Sequence, residues 1–464
     1  MLEAMKTIRI ANGAGFLGDR ITAPRQLVES ATIDYLTIEH LAELTMSILA
    51  RQREKNPQAG YAEDFVEIVE SLCPALQRQP QLKVIANSGG MNPLACAAAV
   101  SKVLSESDLG KTPVGVVSGD DLLPHLDRII ASGCELKNLD TGEPLTALGP
   151  RERIVSANAY LGSQPIVEAL HGGARIVITG RVADASLTVA PLAHEFGWDW
   201  HDLPKIAAAT VTGHLIECGA QVTGGYATDW QHAHLTNVGY PIAEVNEAAE
   251  TVVTKPATSG GVVNFRTVAE QLVYEIGDPR HYLTPDIDCD FTTVELHDLG
   301  NDRVQVSGAS GAPATDTYKV SLAYRDGFMA SGQLLVYGLD CQEKARACGE
   351  MILARVCEAG YSLARTNIEL LGQGAGVPGS WFWRKYQPPG ELVLRVTVHD
   401  PNRAAVEHFT REIAPLITSG PAGLAGYASG RPTVRPVFAY WPTLVPKSLV
   451  ESQVQVRTAE EWIS

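Results

Sequence analysis

Basic residues are scarce in this chain: 37 Lys and Arg stand against 53 Asp and Glu over 464 residues, a formal net charge of −16 at pH 7. That deficit argues against a nucleic-acid partner, whose phosphates draw clustered cations. Long apolar runs are missing as well. The longest, such as Ala95–Val100, fall well short of the ~20 residues a membrane span needs. The N-terminal MLEAMKTIRI has no basic segment leading into an apolar one, so neither a membrane anchor nor a secretory leader is expected. None of the eight cysteines, at 73, 96, 134, 218, 289, 341, 348 and 357, forms a C-x-x-C pair. This removes the zinc ribbon and the disulfide scaffold, and points to a reduced, cytoplasmic chain with buried thiols. Internal repeats, a G-x-S-x-G elbow, a Walker loop, H-E-x-x-H and kinase motifs are absent too. No metal is expected.

What is present is a globular composition, 45% hydrophobic and 19% charged, in a chain long enough for two or three domains. In the first 200 residues short β-rich runs alternate with helical patterns. Strands are expected at Thr7–Ala11, Tyr35–Ile38, Lys83–Ala86, Val114–Val117, Ile154–Ser156 and Arg175–Thr179. Helices are expected between them at 41–54, 63–78, 93–105, 121–132 and 164–171. Such alternation implies βαβ units and a parallel sheet. Residues 203–220 read as a further, alanine-rich helix. From about 250 the strands lengthen and alternate apolar with polar: Asp290–Leu296, Arg303–Ser307, Thr317–Arg325, Met329–Tyr337 and Leu392–Val398. Asp326-Gly327 carries a hairpin signal between two of them. Helices are expected at 341–358 and 402–418. The fold class is therefore α/β. A mainly parallel, Rossmann-like sheet with flanking helices is expected over residues 1–250, and an α+β domain with antiparallel strands over 251–464.

The stretch IANGAGFLGDR, 10–20, places Gly13, Gly15 and Gly18 at the spacing of a dinucleotide-binding fingerprint. A working fingerprint needs a helix that starts at the second glycine and turns its amides to a pyrophosphate. Pro24 would disrupt such a helix. The better start is Thr22-Ala23-Pro24, which makes 12–22 an extended loop and argues against NAD or FAD.

More informative is what the strand ends share. In turn they run into Asn12-Gly13 with Asp19-Arg20, Glu39-His40, Asn87-Ser88-Gly89-Gly90-Met91-Asn92, Gly119-Asp120-Asp121, Asn158-Ala159-Tyr160, and Gly180-Arg181 with Asp184. In a parallel sheet these share one rim, where ligand crevices lie. Glycines there admit a ligand to backbone amides, and the Asp, Asn, Arg and His side chains supply donors, acceptors and acid–base groups. Each item also has a structural reading. Asp120-Asp121 and Asn92 suit helix caps, Glu39 suits a helix start, and Arg181 and Asp184 suit a local ion pair. A second constellation, His214, Glu217 and Cys218, shares one helical face by its spacing. It could bind a metal, shuttle a proton or serve as a buried helix face. His232 and His234 read as exposed loop residues. The run Gly372–Gly379 before Trp381-Phe382-Trp383 reads as a lid, an interface or an interdomain linker.

The stretches IANGAGFLGDR (10–20), IANSGGMNP (85–93), NAYLGSQPIVEAL (158–170), ITGRVADASL (178–187) and GHLIECGAQVTGGY (213–226) resemble the acyclic terpene utilisation AtuA family, also called DUF1446. YPIAEV (240–245) and VAEQLVYEIGDPRHYLTPD (268–286) extend the resemblance through most of the chain. It implies an association with citronellol and geraniol breakdown, whose intermediates are branched acyl-CoA thioesters. It supplies no catalytic residues. Some members carry an additional small ferredoxin-like domain at the C-terminus, and this chain is expected to end before it.

The expected function is an enzyme acting on a small organic acid or branched acyl-CoA by hydration, elimination or hydrolysis, with a CoA thioester as substrate. Candidate catalytic residues are Asp19, Asp120, Asp184, His214 and Glu217. Candidate substrate contacts are Asn12, Gly13, Gly15, Arg20, Asn87, Gly89, Gly90, Asn92, Asn158 and Arg181, with the arginines suited to carboxylate or phosphate. The alternatives are a non-catalytic subunit that binds acyl-CoA or a partner, and a nucleotide-dependent oxidoreductase using the 13–18 loop. A homo-oligomer is expected, because hairpin edges need covering.

Overall fold

The computed structural model describes residues 6–372 and 390–463. Most of the glycine-rich run, with Trp381-Phe382-Trp383, lies outside the described residues. The chain begins with β1 (Thr7–Asn12), α1 (Ala23–Ser30), β2 (Tyr35–Ile38), α2 (Glu43–Lys55), α3 (Asp64–Arg78), β3 (Lys83–Ala86) and α4 (Pro93–Glu106). It continues through β4 (Pro113–Ser118), α5 (Leu126–Ala131), β5 (Ile154–Ala159), α6 (Gln164–His171), β6 (Ile176–Thr179), α7 (Ser186–Phe196) and α8 (Leu203–Glu217). Next come β7 (Ile242–Asn246), β8 (Thr251–Thr254), α9 (Phe265–Leu272), β9 (Tyr282–Leu283), β10 (Ile287–Asp290), β11 (Glu295–Asp298), β12 (Val304–Ser307) and β13 (Ser310–Pro313). The remainder is β14 (Thr317–Tyr337), α10 (Cys341–Glu358), β15 (Arg365–Leu371), β16 (Glu391–Asp400), α11 (Arg403–Glu412), α12 (Leu416–Ser419), β17 (Leu424–Gly426), β18 (Arg435–Pro446), β19 (Gln453–Thr458) and α13 (Ala459–Ile463). Two compact units result. One comprises the chain up to Ala323 and from Tyr440 onward, the other Tyr324–Ala439.

The first unit is built on a mixed sheet in the order β11-β12-β8-β7-β1-β2-β3-β6-β4-β19. Its centre, β1-β2-β3-β6-β4, is parallel, with Leu36 beside Ala11, Ile85 beside Thr37, and Ile178 beside both Ala86 and Val116. The margins are antiparallel: β7 runs against β1, and β19 against β4. β7 and β8, on either side of residue 250, pair with each other in this sheet. The central strands are near-continuous apolar runs because both faces are covered. Leu36, Ile38, Val84, Val116 and Ile178 pack with Leu27, Phe65, Leu72 and Val100 from α1, α3 and α4. Gly115, one residue out of phase, faces the other way, where a Cβ would stand 3.2 Å from Ala169 of α6. α7 and α8 pack on β1 from their own side.

In the second unit β15-β16-β14-β17 form an antiparallel sheet. Leu392, Leu394, Val396 and Val398 alternate inward on β16 to meet Cys348 and Ile352 of α10 and Phe409 of α11.

Three expectations need correction. β5 is not a member of the parallel sheet and pairs with β14 instead. The strand expected over Asp290–Leu296 is interrupted by a turn at Phe291–Thr293, where the Asp290 carboxylate accepts the Thr292 amide at 2.8 Å; β10 and β11 then join different sheets. The Asp326-Gly327 hairpin does not form, because β14 runs through it. A two-residue type I′ turn requires left-handed backbone at both positions, and of the two only Gly327 has it, at φ +86°.

Candidate functional site

Because the five central strands are parallel, Asn12, Glu39-His40, Asn87-Ser88, Gly119-Asp120 and Gly180-Arg181 all stand at one rim. Arg181 lies at its centre and is fully buried. Its guanidinium donates to Asp184 Oδ1 at 2.7 Å and to the Leu41 carbonyl, lies 3.9 Å from Glu39 Oε1, and stacks 4.1 Å from the centre of the Tyr160 ring. The Arg181 amide donates to Asp120 Oδ2 at 2.9 Å, and the Asn158 side-chain amide donates to the same oxygen at 2.8 Å. β5 therefore still delivers Asn158 to the rim from outside the sheet. α2 closes the rim: it packs on β5, and its Arg53 donates to the Met91 carbonyl at 2.7 Å and pairs with Asp121 at 3.1 Å.

Electrostatics separates the acidic groups. Burial drives the Glu39 carboxyl well above the usual carboxylate range, and the Asp184 charge adds to this. Arg181, Asn87 and the Leu41 amide, which donates to Oε1 at 2.8 Å, only partly oppose it. Glu39 Oε2 is buried without a hydrogen bond. Burial also raises Asp120 to about 7 despite its two donors. His40, whose Nδ1 is 3.0 Å from the Ser88 hydroxyl, is lowered by burial to about 4. Asp184 keeps part of its side chain in solvent, at 35% exposure, which makes it the outlet of an otherwise enclosed network.

Other candidates hold the scaffold together. Asn12 donates from its side-chain amide to the Ile216 and Glu217 carbonyls at 2.7 and 2.8 Å, tying β1 to the end of α8. Asp19 accepts from the Gly15 amide at 2.8 Å, from its neighbour Arg20 at 2.6 Å and from the Tyr240 hydroxyl at 2.5 Å. Its carboxylate thus takes up the Gly15 amide that a ligand on this loop would need. A Cβ on Gly15 would come within 2.6 Å of the Cys218 carbonyl carbon, and one on Gly13 within 3.0 Å of Pro24. Arg20 is exposed and donates only locally, to Thr22 at 3.2 Å. Asn87 accepts from the His40 amide at 2.8 Å. Gly89 and Gly90 press against the Thr179 carbonyl and Leu49. Asn92 caps α4 and donates to the Pro57 and Ala59 carbonyls at 2.9 and 3.0 Å. Asp121 caps the turn after β4 by accepting from the Leu123 amide at 3.1 Å. His232 and His234 are exposed.

His214 and Glu217 are buried or nearly so at the end of α8, 3.5 Å apart. They adjoin the Asp184 loop, since Gly213 lies against Ala185 so closely that a Cβ would be 2.8 Å from its Cα. Sequence reasoning set Glu39 aside as a helix start, although an acid directly after a parallel strand was a usable signal. Tyr160 was marked only by its place in the Asn158-Ala159-Tyr160 strand end and Tyr282 by nothing, because only folding sets their rings against Arg181 and His214.

A family model described as acyclic terpene utilisation family protein AtuA matches residues 8–456. The chain belongs to the AtuA family. The match runs from β1 into β19 and so covers every strand that ends at the rim of this AtuA chain. Comparison with curated proteins and with solved structures yields no match. Among the described residues, no helix of this AtuA protein is long and apolar enough to cross a membrane. No group of three or more His, Cys, Asp or Glu side chains is gathered there as a metal site.

Proposed function

We propose that this protein is an enzyme of small organic acid or branched acyl-CoA catabolism, performing a hydration, elimination or hydrolysis at the carboxyl ends of its Rossmann-like parallel strands. The observation that carries the reading is the pairing of two carboxyls around one guanidinium: Glu39, whose carboxyl burial pushes well above the usual range, and Asp184, ion-paired to Arg181 and reaching solvent. Neighbouring carboxyls in opposed protonation states are how one site runs acid and base chemistry at neutral pH. Asp184 is the base, Glu39 supplies the proton, and Arg181 positions both, its two terminal nitrogens being engaged by Leu41 and Asp184. The free thiols suit a reducing cytoplasm.

The test is a thermal-shift screen with CoA, saturated and unsaturated branched acyl-CoA thioesters, NAD, FAD and divalent metals, followed by mass spectrometry for gain or loss of water. A shift with thioesters and turnover reduced on the order of 10²-fold or more in Asp184→Asn and Glu39→Gln is expected. Thioester binding without turnover would make the chain a binding subunit. A shift with NAD or FAD alone would return the 13–18 loop to consideration.

A further inference from the structure

Beside the rim lies a second pair that the roles above leave unused. The His214 ring is held on three sides. Its edges meet the Tyr282 and Phe291 rings, with centroids 5.5 and 5.2 Å away, and its Nε2 is 2.9 Å from the Gln271 carbonyl oxygen. The Gln271 side-chain amide returns a hydrogen bond to the His214 carbonyl at 3.1 Å, which locks α8 to α9. A carbonyl oxygen only accepts, so Nε2 carries a hydrogen. In the neutral ring Nδ1 is then a lone pair, and it faces Glu217 Oε1 at 3.5 Å in a buried setting. A carboxylate oxygen is also only an acceptor. Two lone pairs facing each other away from water repel, and one proton between them turns repulsion into a bond, as imidazolium–carboxylate or imidazole–carboxylic acid. Glu217 Oε2 is buried and has no hydrogen bond. Around this corner stand the Tyr282 hydroxyl and the Cys218 thiol, both held neutral by burial, with Asp184 and Glu275 near them.

We infer that His214 and Glu217 form a dyad sharing one transferable proton, in which His214 positions Glu217 as a proton donor on the Asp184 side of the site. This rests on the acid–base reading above and assigns that site a second proton source. In a turnover served by the dyad, Glu39 keeps its own proton, and the dyad instead gives one to the substrate atom that gains hydrogen, becoming imidazole and carboxylate until solvent returns the proton. Asp184 takes one proton from the substrate or from water. The two protons balance, and no further reactant is consumed. Glu217 is the catalytic group and His214 a positioning residue.

The test reads the dyad directly, without a substrate. Two-bond 1H–15N spectra of 15N-histidine-labelled protein, with His214 assigned by loss of its signals in His214→Gln, should show Nε2 protonated throughout the pH range in which the protein is folded. Nδ1 should shift from a shared-proton position toward a neutral acceptor in Glu217→Gln, whose amide satisfies Nδ1 without a transferable proton. A neutral ring protonated at Nδ1, or His214 signals indifferent to Glu217→Gln, would overturn the dyad. On any thioester found to turn over, Glu217→Gln should lower kcat on the order of 10²-fold with KM little changed. Unchanged kcat would refute the donor role. Failure of every thioester alongside the expected spectra would count against the acid–base reading and leave the shared proton standing.

Discussion

Asp120 illustrates how one residue at the rim couples stability to pH. Its carboxyl is buried under the Arg181 amide and the Asn158 side chain, and is raised to about 7 from an ordinary 3.8. Between those values the folded protein holds the proton while the unfolded chain has released it. Folding therefore binds a proton, and stability falls as pH rises from about 4 to about 7, by at most ~1.4 kcal/mol per pH unit from this group. Above the folded value the slope ends. Asp120→Asn should lose this slope, so urea unfolding at pH 5 and pH 8 should show the variant gaining stability relative to wild type at the higher pH. Equal differences at both would mean that Asp120 is ionised throughout. Glu39, raised by the same burial, acts in the same direction.

At the scale of elements, the rim is assembled by close approaches more than by any one side chain. The loop after β1 is clamped on the end of α8: Gly15 meets Cys218, and the Asn12 amide meets the Ile216 and Glu217 carbonyls. Gly15→Ala would place a Cβ 2.6 Å from the Cys218 carbonyl carbon and 2.9 Å from its Cα and oxygen, backbone atoms that cannot turn aside. A cost of ~1–3 kcal/mol is expected, the range for overpacking, visible as a lower urea midpoint with unchanged slope. An unaltered midpoint would show that the loop and α8 are not pressed together. The opposite, amino end of the same strands has its own tie. Glu195 of α7 accepts from Tyr35, Lys83 and Lys6 at 2.6, 3.0 and 2.8 Å, and these donors hold its carboxyl down to about 2. The group thus contributes stability above its unfolded value that is lost as pH falls through about 2.

For the molecule as a whole, the first unit depends on a segment that returns at the far end of the chain. β19 pairs along the full length of β4, from Gln453 beside Ser118 to Thr458 beside Pro113. α13 behind it buries Ala459, and Trp462 donates to the Val114 carbonyl at 3.0 Å. Without this segment β4 becomes an open edge beside a buried parallel sheet, the arrangement that promotes edge-to-edge aggregation. Ending the chain at residue 450 should lower the melting temperature and raise light scattering on heating. A truncated chain as soluble and as heat-stable as the full one would show that β19 is dispensable.

The sequence by itself determined the local alternation. β2, β3, α4 and α6 fall where apolar runs and the starts Asn92-Pro93 and Ser163-Gln164-Pro165 place them, because those signals act over a few residues. It also determined the rim, since a parallel sheet sends successive polar strand ends to one side. α7 escaped notice because it is apolar all round and shows no helical stripe. Tertiary structure alone decided which polar residues are tied into the scaffold and which gather around the buried arginine. Asp19 and Asp184 look alike as acids after a strand, yet one is saturated by three donors and the other pairs with a buried arginine at the surface. The pairing of β5 with β14 outside the parallel sheet, and the meeting of β4 with β19, rest on contacts across hundreds of residues. Burial and partners at that range set a side chain's charge, and no local pattern encodes them.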